Sequence, residues 1–243
     1  MSGHSKWSNI KRKKEKTDAQ KGKIFTKLGR ELAIAVKEGG SDPEANTKLQ
    51  DVIAKAKAAN MPNENIMRSI KKASGDMDAD NYEEISYEGY GPGGIAIIVE
   101  AMTDNRNRTA GDIRHFFDKF GGNLGQTGCV SFMFDKKGVI LIERTDDVDE
   151  DTLMMEVIDL GADDFNPQDE YFEILTDPGE FSAIRGALEK KGYKFMEADV
   201  EMVPQTVAVL TDPKHIEQMN RLIENLDDLD DVQNVYHNWE EDE

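Results

Sequence analysis

A single cysteine, Cys129, stands in a chain of 243 residues, so no internal disulfide can staple the fold, and a reducing cytosol is the expected setting. Long apolar runs are missing as well. Runs such as Ile95 to Val99 and Val139 to Ile142 fall far short of the roughly 20 residues that cross a bilayer. The stretch Met1-Ser2-Gly3-His4-Ser5-Lys6-Trp7 has no apolar core of the kind a secretory signal needs. A soluble, cytoplasmic protein is therefore expected. Histidine is scarce: His4, His115, His215 and His237 are scattered, with no HExxH pattern and no spacing that would gather a metal. Cys129 falls in an alternating stretch, where a buried, inert thiol is the default. The glycine-rich run Gly89-Tyr90-Gly91-Pro92-Gly93-Gly94 lacks the Lys-Ser/Thr pair of a phosphate-binding loop. The acidic pairs Asp227-Asp228 and Asp230-Asp231 fit solvated faces better than a general acid and base. No catalytic residue, metal site or cofactor is expected, and an enzyme is not.

What the sequence does have is charge, unevenly placed. The net charge is −19, yet residues 1–75 hold 17 Lys and Arg against 8 Asp and Glu, a net of +9, and residues 76–243 hold 13 against 41, a net of −28. A chain divided in this way points to one segment built to meet a polyanion and a remainder that stays soluble and repels it.

Along the chain, Ile24, Phe25, Leu28, Leu32 and Val36 recur at helical spacing and Gly39-Gly40 supplies a stop. Ser41-Asp42-Pro43-Glu44 resembles a capped helix start with Pro in the first turn, followed by Leu49, Val52, Ile53 and Ala56 on one face. Pro62 opens a third short helix with Ile66 and Ile70 inward, ended by Gly75. These predict a three-helix domain over 1–76. The polar, acidic stretch 74–81 reads as a linker. Beyond it, Ile95–Ala101, Arg106–Phe120 and Cys129–Phe134 predict strand, helix and strand, one βαβ unit. Strands and helices over Gly138–Val203 then follow the order βαββαβ of a ferredoxin-like fold. A last strand, helix and strand, Thr206–Leu210, a helix with Ile216, Met219, Ile223 and Leu226 inward, and Val232–Asn238, form half a domain. The economical solution is α+β: a helical domain, then a discontinuous α/β middle domain from 82–134 and 206–243, with a ferredoxin-like domain at 135–205 inserted into it.

Lys6, Lys11, Arg12, Lys13, Lys14, Lys16 and Lys21 accompany Trp7 in the N-terminal arm, opposed only by Glu15 and Asp18. Lys and Arg neutralise phosphates and release counterions, and an indole can stack on a base. Lys23, Lys27, Arg30 and Lys37 continue the arm as one stripe of the first helix, opposite Leu28, Leu32 and Val36. The alternative is an ordinary solvated face with Trp7 packed on the bundle. No zinc finger, heptad zipper or clear helix-turn-helix pattern is present, so sequence-specific groove reading is not indicated. Tyr87, Tyr90, Gly91 and Gly93 either form a tight turn into the next strand or present backbone to a partner. Arg106 and Arg108 sit at a helix start, where cations oppose the dipole unless they serve a partner or a local carboxylate.

The segments Gly3-His4-Ser5-Lys6-Trp7, Gly22-Lys23-Ile24-Phe25-Thr26-Lys27-Leu28, Asn60-Met61-Pro62, Tyr87 to Gly94, Asp104-Asn105-Arg106-Asn107-Arg108-Thr109, Gly121-Gly122-Asn123-Leu124-Gly125 and Val235-Tyr236-His237-Asn238 together resemble the YebC/PmpR family. The resemblance implies a helical domain followed by two α/β domains, the middle one discontinuous, and no enzymatic activity. It implies a DNA-binding transcriptional regulator or, as in related mitochondrial translational activators, a ribosome-associated factor that meets ribosomal RNA and assists synthesis of difficult, proline-rich sequences. Gln20 stands where relatives often carry a cation, which removes one charge from the arm. A small-ligand sensor built on the inserted domain is a third reading, resting on fold analogy alone.

Overall fold

A computed structural model describes residues 18–75 and 82–240. Among these residues the fold is α+β: three helices precede an α/β region containing two four-stranded sheets. Two compact units divide it, one built from 18–134 with 204–240 and the other from 135–203.

The first unit begins with helices α1 (Asp18–Gly39), α2 (Thr47–Ala58) and α3 (Asn63–Gly75). Leu28, Leu32, Ala35, Leu49, Val52, Ile66 and Ile70 close on one another as its helical core, following the apolar spacing. One start differs from expectation: α2 is capped by Asn46, whose Oδ1 accepts from Leu49 N at 3.0 Å, and not by the Ser41–Glu44 segment. That segment is instead a turn about Pro43, with Ala45 N donating to the Asp42 carbonyl and Glu44 N to the Asp42 side chain. Asn46 is buried and also donates to the carbonyls of Ala35 and Gly40. It thereby satisfies groups at the end of α1 and the start of α2 together.

The same unit carries the sheet β3-β1-β2-β9, formed by β1 (Glu83–Tyr90), β2 (Ala96–Thr103), β3 (Asn123–Leu124) and β9 (Val232–His237). β2 is antiparallel to both β1 and β9, with Tyr87 opposite Val99 and Val99 opposite Val235. Helices α4 (Arg106–Lys119) and α7 (Pro213–Asp227) pack Ile113, Phe117, Met219, Leu222 and Leu226 against Ile97, Val99 and Val232. A short parallel pair, β8 (Ala208–Val209) with β10 (Trp239–Glu240), completes it.

Two segments of this unit differ from expectation. Glu83–Tyr90 is a strand, so α4 follows a hairpin and not the first strand of a βαβ unit. Cys129–Phe134 is not a strand: Ser131–Met133 forms a 3-10 turn, because the Glu88 carboxylate bonds the backbone N–H groups of Gly128, Val130 and Ser131 and bends the chain around itself.

The second unit runs β4 (Phe134–Glu143), α5 (Glu150–Asp159), β5 (Asp164–Pro167), β6 (Tyr171–Thr176), α6 (Phe181–Lys191) and β7 (Phe195–Pro204), with strand order β5-β6-β4-β7. Ile140, Ile142, Phe172 and Ile174 face Leu153, Val157, Ile184 and Leu188 of the two helices. β4 passes so close to α6 that a Cβ on Gly138 would stand 2.2 Å from Thr176 Oγ1 and 2.7 Å from Phe181 Cβ, which only glycine tolerates. No helix among the described residues is long and apolar enough to cross a membrane.

Candidate nucleic-acid interface

Lys6, Trp7, Lys11, Arg12, Lys13 and Lys14 lie outside the described residues. Lys21 is exposed at the start of α1. The cations that follow fall one helical turn apart, at Lys23, Lys27 and Arg30, and they converge on the acidic corner after α7. Lys23 Nζ is 2.7 Å from Asp228 Oδ1 and 3.3 Å from its carbonyl oxygen. Lys27 Nζ donates to the Asp227 carbonyl at 2.7 Å and stands 3.5 Å from its carboxylate. Arg30 Nη1 donates to Asp231 Oδ1 at 2.8 Å and to the carbonyls of Asp230 and Met102, while its guanidinium lies 5.2 Å from the Tyr82 ring centroid. The last carbonyls of a helix have no intrahelical partner and carry the negative end of its dipole. The α1 stripe therefore meets oxygen from both the backbone and the side chains of this corner.

Asp231 is the centre of that contact. Its Oδ2 accepts from Arg108 Nη2 at 2.7 Å, from the Thr109 hydroxyl at 2.7 Å and from the Thr103 hydroxyl at 3.2 Å, while Oδ1 takes Arg30. Burial works to raise its pKa, but the Arg108 and Thr109 hydrogen bonds and the Arg30 charge outweigh that and hold the carboxyl below the usual aspartate range. Arg108, bonded also to Asp104 at 2.8 Å, serves local carboxylates, which explains its place at a helix start. The cavity beside this cluster, about 380 Å³, is lined by Arg30, Arg108, Asp104, Asp112, Asp230 and Asp231 among others. With carboxylates outnumbering cations, its walls do not favour a phosphate.

Arg106 is two-thirds exposed, 3.7 Å from Glu83. The Tyr87 hydroxyl donates to the Arg106 carbonyl at 3.4 Å, and the Tyr90 hydroxyl to the Cys129 carbonyl at 3.1 Å. Gly91 and Gly93 belong to a tight turn in which Gly91 N bonds the Ile95 carbonyl. A Cβ on Gly91 would meet Met219 Sδ at 2.9 Å, and Gly93, at φ +69°, would put one 2.3 Å from Leu210. This run packs on the unit's own core.

Two buried carboxylates that organise their surroundings escaped the sequence. Glu88 is buried, and its three backbone N–H donors overcome burial to hold its carboxyl below the ordinary range. Burial and the Glu88 charge push the half-buried Cys129 thiol above its ordinary range. Asp231 was hidden within an acidic run. Among the described residues no group of three or more His, Cys, Asp or Glu is placed to hold a metal.

Comparison with known proteins gives two family matches: the TACO1/YebC protein N-terminal domain over residues 5–76 and the TACO1/YebC second and third domain over residues 82–239. A relative from Acetivibrio thermocellus is 75% identical over 98% of this chain and 99% of its own length, and one from Ruminiclostridium cellulolyticum is 68% identical over 100% and 98%. Both are named "Probable transcriptional regulatory protein". The crystal structure of Aq1575, a conserved hypothetical protein from Aquifex aeolicus, superposes with a TM-score of 0.85 at 44% identity, covering 94% of this chain and 93% of that one.

Proposed function

The chain belongs to the TACO1/YebC family, which is non-enzymatic, and from that membership we propose that it is a cytoplasmic, DNA-binding transcriptional regulator. The observation that carries this reading is the division of charge: a +9 segment over residues 1–75 on a chain of −19, in a family whose relatives bear a regulatory name. Lys6, Lys11, Arg12, Lys13, Lys14 and Lys21 grip the phosphate backbone, and Trp7 adds a stacking surface. The grip fixes position and carries no base code. The acidic remainder keeps the duplex from settling elsewhere on the protein.

We also assign three domains: 1–76; a discontinuous middle domain from 82–134 and 206–243; and a ferredoxin-like insertion at 135–205. The pairing of β9 with β2 supports the second, and the βαββαβ order with strand order β5-β6-β4-β7 supports the third.

Binding to a duplex titrated with salt tests the grip. With five to eight phosphate contacts, log affinity falls against log salt with a slope of roughly −0.9 per contact. Replacing Lys11, Arg12, Lys13 and Lys14 by alanine should flatten that slope, and an unchanged slope rejects the arm as the grip. A second reading, a translation factor on ribosomal RNA, is favoured by the sequence's lack of a zinc finger, heptad zipper or clear helix-turn-helix pattern. A grip built on charge is satisfied equally by an RNA backbone. Crosslinking in cells separates the two: enrichment at promoters supports transcription, and ribosomal RNA adducts with salt-sensitive sedimentation alongside ribosomes support translation.

A further inference from the structure

We infer that the acidic corner Asp227-Asp228 is an internal competitor for Lys23 and Lys27, which a polyanion must displace before it can use the α1 stripe. The inference rests on the nucleic-acid reading above. Each ammonium already holds an oxygen at 2.7 Å, from the Asp228 carboxylate and the Asp227 carbonyl, the distance a phosphate oxygen would take in a charge-assisted bond. The Asp228 carboxylate at 2.7 Å and the Asp227 carboxylate at 3.5 Å thus present two negative charges, on adjacent residues at the end of α7, to the lysines that a polyanion would use.

The contacts differ in strength along the stripe, and the difference gives the device its motion. The Lys23–Asp228 pair is open to water, with side chains 42% and 67% exposed, whereas Lys27 is only 14% exposed, held at 2.7 Å by the Asp227 carbonyl and 3.5 Å from its carboxylate. The open pair is weak and screened by salt. Arg30 and Asp231, at 14% and 10%, are buried and tied to Arg108 and Thr109. A dense array of phosphates can therefore take Lys23 first, and Lys27 once its ammonium turns outward, while Arg30 stays docked as the pivot. Isolated phosphates gain too little counterion release to compete. The corner acts as a threshold that admits extended nucleic acid and rejects small anions.

The test compares the full-length chain with Asp227→Asn/Asp228→Asn, using a 20-base-pair duplex and a matched single-stranded RNA. Asp146→Asn/Asp147→Asn, the same change of charge at exposed positions in the other unit, is the control. Removing the two carboxylates should raise low-salt affinity several-fold beyond the control and steepen the salt slope by roughly 0.9 on DNA for Lys23, approaching roughly 1.8 only if Lys27 also leaves the Asp227 carbonyl. Lys23→Ala/Lys27→Ala should abolish that gain while costing the parent chain little. A zero-length carbodiimide crosslink joining Lys23 to Asp228 should form in the parent chain and be suppressed by duplex but not by inorganic phosphate. If the corner variant gains no more than the control, or the crosslink persists under saturating duplex, the competitor role is overturned and the arm's grip stands. If neither nucleic acid binds any form even at low salt, the nucleic-acid reading falls, and this inference with it.

Discussion

Asp231 and Glu88 are both buried acids, but their partners differ in kind. Asp231 is held by two arginines and two threonines, Glu88 by three backbone N–H groups. Asp231→Ala would leave Arg30 and Arg108 without their shared counter-charge. Breaking a buried pair by removing one partner costs about 3–5 kcal/mol; because Arg108 is half exposed and keeps Asp104, urea unfolding of the full chain should show a loss at or below the lower end of that range. Glu88→Gln keeps the shape but puts an amide before donors arranged for an anion. Both carboxyls are held below their usual range in the folded state, so each contributes stability that is complete above an unfolded pKa of about 4 and drains as pH falls through the lower folded value. Glu88→Gln should accordingly be less stable than the parent at pH 7, and the gap should narrow below about pH 4. Neither residue announces itself in the sequence. Glu88 takes its partners from backbone some 40 residues away, and backbone N–H groups are the same whatever the side chain. Asp231 had a readable sign, since carboxylates clustered over Asp227–Asp231 complement the turn-by-turn spacing of Lys23, Lys27 and Arg30, but charge alone cannot tell a docked cluster from a solvated face.

At the scale of elements, periodicity located the helices because each buries a stripe: Leu28, Leu32 and Val36 in α1, Ile113 and Phe117 in α4, Met219 and Leu226 in α7. Strands with one long apolar run, such as the segment from Val139 to Ile142, were legible for the same reason. β1 was not, because Glu83-Glu84-Ile85-Ser86 is largely exposed at its start and Gly89 closes its end. There a Cβ would stand 2.6 Å from the Asn123 carbonyl, so the glycine marks tight strand packing and not a loop. The alternation of Val130, Phe132 and Phe134 imitated a strand, although Phe132 is 69% exposed and the segment is set by Glu88. The start of α2 was displaced because Ser41 and Asp42 have the right chemistry, yet Asn46 can bond three backbone groups across two helices. Asn46→Ala should therefore cost at least the ~1 kcal/mol of an ordinary cap. Asn46→Ser, which can keep the cap but not the donors, should recover only part of it, as thermal melts would show.

For the whole molecule, the chain leaves and re-enters the first unit at one place. Gln205 N donates to the Met133 carbonyl at 2.9 Å, so the ends on either side of 135–203 are already adjacent. Sequence order could suggest that the flanking halves pair, as β9 does with β2, but not that the two crossings touch. Their closeness means that removing 135–203 and joining Phe134 to Pro204 through two to four glycines requires a loop of about the ordinary hairpin length, with little closure entropy to add. The shortened protein should unfold cooperatively, and the segment 135–203, which has its own core around Ile140, Phe172 and Leu188, should fold when expressed alone. The excision also removes 20 Asp and Glu against 7 Lys and Arg, bringing the net charge from −19 to −6. If the acidic unit only repels, the shortened protein should bind a duplex more tightly at low salt while the salt slope, which counts phosphate contacts, stays the same. A flatter slope would instead mean that residues 135–203 supply contacts of their own, and would move part of the interface out of the N-terminal module.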